Sequence, residues 1–468
     1  MSARNRELLA LIPVALLVTA GFTAVFIVES NQIGDISLIY GGYFLAVCVG
    51  VHLFIRVRLP YADPYLFPLC ALLAAVGLVM LFRINDELAL KQASIFVAGA
   101  VLLALTILFV RDYHVLQRYR YLIATAGILL LLAPRLPGIG TQVNGAYLGI
   151  DLGPFSFQPA EIAKICIVVF LASYLAEKRE LLAVAARRVA GLTIPPIKHF
   201  GPLLVVWGAT MIMLIYIRDL GSSLMFFGAF LALLYVATQR LSYVIAGLTL
   251  FLVGATLIAS QITHVQDRID IWQHTFDKNP CHLSKQELHA GDDCGVGQIQ
   301  QSLFAQADGG LFGKGLGESL LRLPGPFAPD CHQPFPDCGS ILPAPHTDEI
   351  YALIVAELGL FGGVGVIVIY ALIAARGFKT AVMARDGFSK LLAAGLSAVF
   401  ALQAFVIIGG VVKVIPLTGV TLPFVSFGGS SVIANMILLA LLLMISNDAR
   451  RPPPPAREEG PIVEGLPA

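Results

Sequence analysis

Apolar runs long enough to cross a membrane recur along most of this chain, and they exclude most folds before any motif is considered. They lie near residues 7–29, 37–56, 64–83, 92–110, 119–134 and 160–177, then 201–217, 221–238 and 241–262, and finally 349–375, 389–412 and 421–446. They follow the rule of about 20 mainly apolar residues per span, with 119–134 the shortest. Charged residues make up 13% of the chain, against roughly 25% in soluble domains. The expectation is an all-α polytopic membrane protein with about twelve transmembrane helices, since helices satisfy their own backbone groups inside a bilayer. The first run follows a charged start, as in a signal peptide. It is long for such a segment and lacks a convincing small-residue cleavage site, so it reads as a retained helix.

One long polar stretch, Thr263–Asp348, interrupts the pattern. It holds four of the seven cysteines, six of the nine histidines, and eleven acidic residues against five Lys/Arg. Basic residues of the short loops set its side. With the N-terminus in the cytoplasm, twenty Lys/Arg fall inside and ten outside, five of those ten in the long loop itself. Both termini are therefore expected in the cytoplasm and the loop outside. An extracytoplasmic loop permits disulfides, and local spacing favours Cys281–Cys294 and Cys331–Cys338. A zinc site using these cysteines with His282, His289 or His332 is the competing reading, though the spacings match no standard zinc pattern. The tail after residue 446, rich in Pro and Glu, has a disordered composition. Basic residues are scattered rather than gathered on one face, which argues against nucleic-acid binding. No Walker or dinucleotide motif is present.

Ionisable groups inside spanning segments are costly and usually mark function. Glu161 and Lys164, at i and i+3, can pair with each other; an ion pair that fixes helix register and a substrate-facing role are both open. Arg218 and Asp219 sit at a helix break and read as structural. Glu357 lies about two turns into its run, before small residues that allow close helix approach. Lys413, just before Pro416, can snorkel or bind an anionic headgroup. The segment VIPLTGVTLPFVSFGGSS carries prolines, glycines and hydroxyls that disfavour a regular helix. Irregular backbone at membrane depth survives only when buried in protein or lining a cavity, so a re-entrant or cavity-lining element is expected.

These residues carry a resemblance. NGAYLGIDLGPFSFQPAEIAKICIVVFLASYL, IRDLGSSLMFFGAFLALLYVA, GVGQIQQSLFAQADGGLFGKGLG, PHTDEIYALIVAELGLFGG and IPLTGVTLPFVSFGGSS occur in this order. Together they resemble the SEDS family (RodA/FtsW/SpoVE type), leaning to the RodA-like type, over roughly residues 140 to 446. The division that follows is 1–135 as N-terminal helices and 136–446 as the family-type core with its loop at 263–348. Residues 447–468 form a cytoplasmic tail. The resemblance implies ten core helices plus two N-terminal ones in a bacterial plasma membrane.

The resemblance also implies peptidoglycan glycosyl transfer. A GlcNAc 4-hydroxyl of lipid II attacks the anomeric carbon of MurNAc on a growing strand, and undecaprenyl diphosphate leaves. The family's essential loop aspartate, in D-P-x-G-x-G-Y-Q, matches Asp292 by its offset to Gly295 and Gly297. Asp293 replaces the proline and the tyrosine before Gln298 is missing, so Asp293 and Asp277 stay as alternatives. Such a carboxylate takes the acceptor proton as the new bond develops. The departing diphosphate needs positive charge from Lys413, Lys314, Arg268 or a divalent ion, Mg²⁺ or Mn²⁺. The remaining candidate substrate contacts are Glu161, Lys164, Gln298, His346, Asp348, Glu357, Ser426 and Ser430. The expected partner is a class B penicillin-binding protein. A flippase of lipid-linked precursors and a non-catalytic scaffold are the competing functions.

Overall fold

The computed structural model describes residues 3–30, 35–136, 140–143, 146–151, 156–184, 187–189, 192–194, 208, 217, 219–259, 263–276, 296–319 and 342–452. The helices in order are α1 (Ala3–Ala10), α2 (Ile12–Ser30), α3 (Asp35–Arg58), α4 (Leu66–Ile84) and α5 (Asp86–Phe109), then α6 (Val115–Arg118), α7 (Arg120–Leu132) and α8 (Pro159–Val184). They continue as α9 (Leu220–Thr238), α10 (Leu241–Ala259), α11 (Thr263–Gln273) and α12 (Val296–Gly309), and end with α13 (Ile350–Met383), α14 (Gly387–Val411) and α15 (Gly429–Arg450). Among the described residues nine helices are long and apolar enough to cross a membrane.

The expected runs map onto these helices with three differences. The run at 119–134 forms a helix of only 13 residues, and a 3₁₀ turn, Ala133–Arg135, follows it at Pro134. The last run begins its helix at Gly429, because the residues before it find other partners, described below. The run at 201–217 lies outside the described residues except at its last position and at Gly208. Among the described residues the architecture is helical apart from two small antiparallel pieces. Strands β1 (Gly140–Val143), β2 (Ala146–Asp151) and β3 (Ser156–Phe157) fill the glycine-rich link between α7 and α8, and β4 (Arg187–Val189) pairs with β5 (Leu192–Ile194).

Helix starts follow local chemistry. The Asn85 side chain accepts from the backbone N–H of Glu87 and Leu88, opening α5. Asp219 and Asp386 do the same for α9 and α14 through Ser222 and Ser389. Each satisfies N–H groups that a helix leaves orphaned at its first turn.

In lipid, helices associate by close packing rather than by expulsion of water, so burial shows which helices form the centre. The apolar windows of α4, α8, α14 and α15 are 78–83% buried, against 33% for α2, α3 and α5. Gly77 marks a close backbone approach at the centre: a Cβ there would lie 2.5 Å from Val425 O.

The two ends of the bundle differ. At the end carrying the termini, fully buried Asp63 accepts from Arg376 Nε at 2.9 Å and Arg450 Nη2 at 2.6 Å. Its own N–H donates to Ser446 Oγ at 2.8 Å, and Arg376 lies over the Tyr65 ring. One carboxylate thus ties the α3–α4 turn to α13 and α15. The opposite end carries the long loop and the candidate site.

Candidate active site

At the loop end α13 is broken. Gly359 has φ 70°, inside what is otherwise one helix, a conformation that favours glycine. The loop following α12 docks into the break: Lys314 N donates to Ala356 O, Gly315 N to Glu357 O, and Leu360 N to Gly310 O, all at 2.9–3.0 Å. Glu357 is thereby enclosed. It accepts from Ser319 Oγ at 2.7 Å, Arg83 Nε at 3.1 Å and Gly317 N at 3.2 Å.

Beside this break runs the irregular segment 412–428, which replaces helix with side-chain partners from every direction. From below, Tyr370 Oη donates to Pro423 O at 2.6 Å, and Gln403 Nε2 donates to Thr421 O at 3.0 Å. From α5, Gln92 Nε2 donates to Ser426 O at 3.1 Å, while its Oε1 accepts from Gly428 N at 3.3 Å. From the residues preceding α13, Thr347 O accepts Ser426 Oγ at 2.6 Å and His346 O accepts Phe427 N at 2.8 Å. From above, Arg268 Nη1 donates to Leu417 O at 2.6 Å and Trp272 Nε1 to Lys413 O at 3.1 Å. Gln306 Nε2 of α12 donates to Val411 O at 3.2 Å. Backbone groups that would be orphaned in hydrocarbon are in this way satisfied by protein.

Beneath it lies a closed polar cluster. Lys164 Nζ donates to Glu161 Oε2 at 2.5 Å, Gln403 Oε1 at 2.6 Å and Asn435 Oδ1 at 3.3 Å. Gln403 Nε2 returns to Glu161 Oε1 at 3.0 Å. All four side chains are at most 2% exposed. Because Gln403 also holds Thr421, the ion pair supports the irregular segment through one amide.

The loop end concentrates charge. Arg268 stands within electrostatic reach of Asp348 and Asp219; burial lowers its pKa and the two carboxylates oppose that. Burial pushes Asp348 up to about 6, with Arg268 pulling it back. Burial raises Asp219 too, against the cap it makes to Ser222. Glu349 is driven to about 9 by burial, against a contact with Ser302, and so is protonated near neutral pH. The Arg268 guanidinium thus grips the irregular segment while feeling two carboxylates that burial pushes toward their neutral forms.

Of the residues named from sequence, Arg268, His346, Asp348, Lys413 and Ser426 come together around segment 412–428. Lys413 adopts φ 61° and directs its ammonium over the Phe276 ring at 5.3 Å rather than toward open solvent. Lys314 sits apart, half-exposed and paired with Asp308 at 2.8 Å. Ser430 accepts from Gln158 N at 2.8 Å. Gln298 lies half-buried on α12. Glu161, Lys164 and Glu357 all face protein partners. Asp277, Asp292, Asp293, Cys281, Cys294, Cys331 and Cys338 lie outside the described residues. Among the described residues no three or more His, Cys, Asp or Glu side chains gather to hold a metal ion. Gln92, Gln403, Asn435 and Arg83 were not singled out from sequence. An amide within an apolar run was the available signal for the first three.

The chain matches the FtsW/RodA/SpoVE cell cycle protein model over residues 64–451, which leaves the first two spanning segments outside the match. A protein of Mycobacterium tuberculosis named peptidoglycan glycosyltransferase RodA is 39% identical over 449 residues, covering 93% of this chain and 88% of that protein. The protein of the same name from Mycobacterium leprae is 38% identical over 448 residues, with the same coverage. Stage V sporulation protein E of Bacillus subtilis is 29% identical over 385 residues, 79% of this chain and 93% of that protein. Two solved structures share the fold. One is a chain of a peptidoglycan synthase complex, with TM-score 0.61 and 23% identity over 84% of this chain and 99% of that one. The other is the rod shape determining protein RodA of Thermus thermophilus, with TM-score 0.56 and 22% identity over 84% and 98%.

Proposed function

The chain belongs to the FtsW/RodA/SpoVE family and is a RodA-like peptidoglycan glycosyltransferase; from that premise we propose that it polymerises lipid II into glycan strands in the outer leaflet of a bacterial plasma membrane. The observation that carries the reading is 39% identity along 93% of the chain to a protein bearing that name. The geometry supports it through the irregular segment 412–428, roofed by α11 and α12 and charged at Arg268.

In this reading Asp292, with Asp293 and Asp277 as alternatives, accepts the proton of the GlcNAc 4-hydroxyl as its oxygen bonds to the MurNAc anomeric carbon. The anomeric C–O bond breaks and its electron pair leaves on undecaprenyl diphosphate, so no strong acid is needed on the leaving side. Arg268 and Lys413 face the growing negative charge; Lys314, released from Asp308, is a further source. Gln298, Ser426, Ser430, His346 and Asp348 border the sugar and diphosphate path. Glu161, Lys164 and Glu357 act one step back, holding the segment and the loop in place. A membrane groove that orients two prenyl chains makes the encounter effectively intramolecular. Mg²⁺ or Mn²⁺ is a proposed accessory to diphosphate departure. The termini face the cytoplasm and the loop the outside, the orientation that the basic short loops favour. Cys281–Cys294 and Cys331–Cys338 are the proposed pairings of the loop cysteines, from their local spacing. A class B penicillin-binding protein is the proposed partner.

The test is polymerisation by the purified protein, alone and with that partner, supplied with lipid II and read as glycan strands on a gel. Polymer from the parent and none from Asp292→Ala supports the assignment. Equal polymer from both moves the base to Asp293 or Asp277. No polymer with the partner present, alongside lipid II crossing liposome membranes, overturns the reading in favour of transport.

A further inference from the structure

Three helices finish together at the end opposite the loop. There α3 ends at Arg58, α5 gives way to Arg111–His114, and α15 runs out through Asn447–Arg451. Between these ends lies a cavity of about 360 Å³. Its rim carries the exposed Arg58, Arg111 and Arg451, and its floor the buried Leu59, Ile107 and Met444. None of the three guanidinium groups has a carboxylate partner among the described residues. The two carboxylates in the lining are already engaged. Asp112 takes His114 Nδ1 at 2.7 Å and His114 N at 3.0 Å, and Asp448 takes Tyr113 Oη at 3.2 Å. Among the described residues, three guanidiniums without a carboxylate partner therefore stand with two hydrogen-bonded carboxylates around one opening.

We propose that this cavity binds the phosphate-bearing headgroup of an anionic phospholipid, with Arg58, Arg111 and Arg451 around the phosphate and Leu59, Ile107 and Met444 under the glycerol and first acyl carbons. Basic residues in short loops have a bland role in setting orientation, but that role needs neither a cavity nor convergence from three separate helices. Planar guanidiniums match phosphate oxygens pairwise, and basic pockets between helix ends are places where lipid headgroups bind. The amphipathic lining distinguishes the source. A free phosphate would meet only the rim and leave the apolar floor wet, whereas a lipid at the bilayer surface covers both. The site lies across the membrane from the catalytic region and stands whether or not the glycosyltransferase assignment holds.

Native mass spectrometry of the full-length protein in mild detergent reads the proposal directly. Phosphatidylglycerol or phosphatidylethanolamine is titrated in and the retained lipid counted. The parent is expected to hold phosphatidylglycerol roughly tenfold more tightly than the triple variant Arg58→Gln, Arg111→Gln, Arg451→Gln. The matching triple Lys variant should keep part of that preference, because it retains charge but loses the fork. An unchanged melting temperature in lipid-free detergent confirms that the Gln variant is folded. If it is not, Arg111→Gln alone is read, with a severalfold loss expected. Equal retention by parent and folded variant overturns the site. Equal retention of the two lipids overturns the anionic preference. Displacement of the lipid by millimolar inorganic phosphate assigns the rim to free phosphate and overturns the lipid.

Discussion

Lys164 is the hub of the buried polar cluster beneath the irregular segment. It meets Glu161, Gln403 and Asn435 at once, with no exposure. Removing one member of a buried ion pair typically costs about 3–5 kcal/mol, because the other charge is left uncompensated. Lys164→Met should lower stability by that order in a denaturant titration, while Lys164→Met with Glu161→Gln should recover more than half of the loss. Additive effects would show that the two do not act as a pair. Glu349 gives a pH-dependent counterpart. Its pKa rises from 4.5 to about 9 by burial, so the fold favours the neutral acid. That stabilisation is complete below about 4.5, where both states are protonated, and is lost as pH rises through about 9. Glu349→Gln, neutral at every pH, should melt like the parent near pH 4 and gain a growing advantage up to about pH 9. A constant difference across that range would refute the assignment. The pair Glu161–Lys164 was legible in the sequence because charges in apolar runs are conspicuous. Gln403 and Asn435 were not, since amides hardly disturb hydropathy and their contact with Lys164 spans 239 and 271 residues.

Among elements, the broken helix α13 decides how the long loop meets the membrane. The length rule located the nine helices of spanning length among the described residues, because hydrocarbon thickness fixes helix length. It also gave the irregular character of 412–428, where prolines and hydroxyls disfavour helix. The break at Gly359 was beyond it: small residues signal close approach but not which backbone fills the gap. Here the filler is Leu311–Gly315, and a Cβ on Gly359 would lie 2.3 Å from Leu311 O. Gly359→Ala should therefore expel that loop, at about 1–3 kcal/mol for the strained backbone alone. The expected readout is severalfold faster tryptic cleavage after Lys314, with α15 unaffected. Unchanged cleavage would mean that the loop holds its place by other contacts. For the catalytic aspartate the motif offset to Gly295 and Gly297 was the whole of the signal, and the altered neighbours at Asp293 and Gln298 left it shared.

At the scale of the molecule, the two ends are fastened by different means: a distributed set of side-chain contacts to backbone at the loop end, and buried Asp63 as a shared acceptor at the other. Asp63 joins the α3–α4 turn to α13 and α15 through Arg376 and Arg450. Asp63→Ala strands two guanidiniums and should cost about 3–5 kcal/mol, with amide exchange rising at 60–65 and 446–451 and not in α11. Uniform acceleration across the chain would indicate global unfolding instead. The Glu161–Lys164 pair carries a consequence about birth order. At about 5–20 residues per second of synthesis, roughly 12–50 s separate Lys164 from the arrival of Gln403. A nascent helix bearing a lone ammonium for that time would resist entering the bilayer. Spacing of i,i+3 on one helix allows the charge to be cancelled within its own segment as it leaves the ribosome, before α14 and α15, which carry Gln403 and Asn435, exist to receive it.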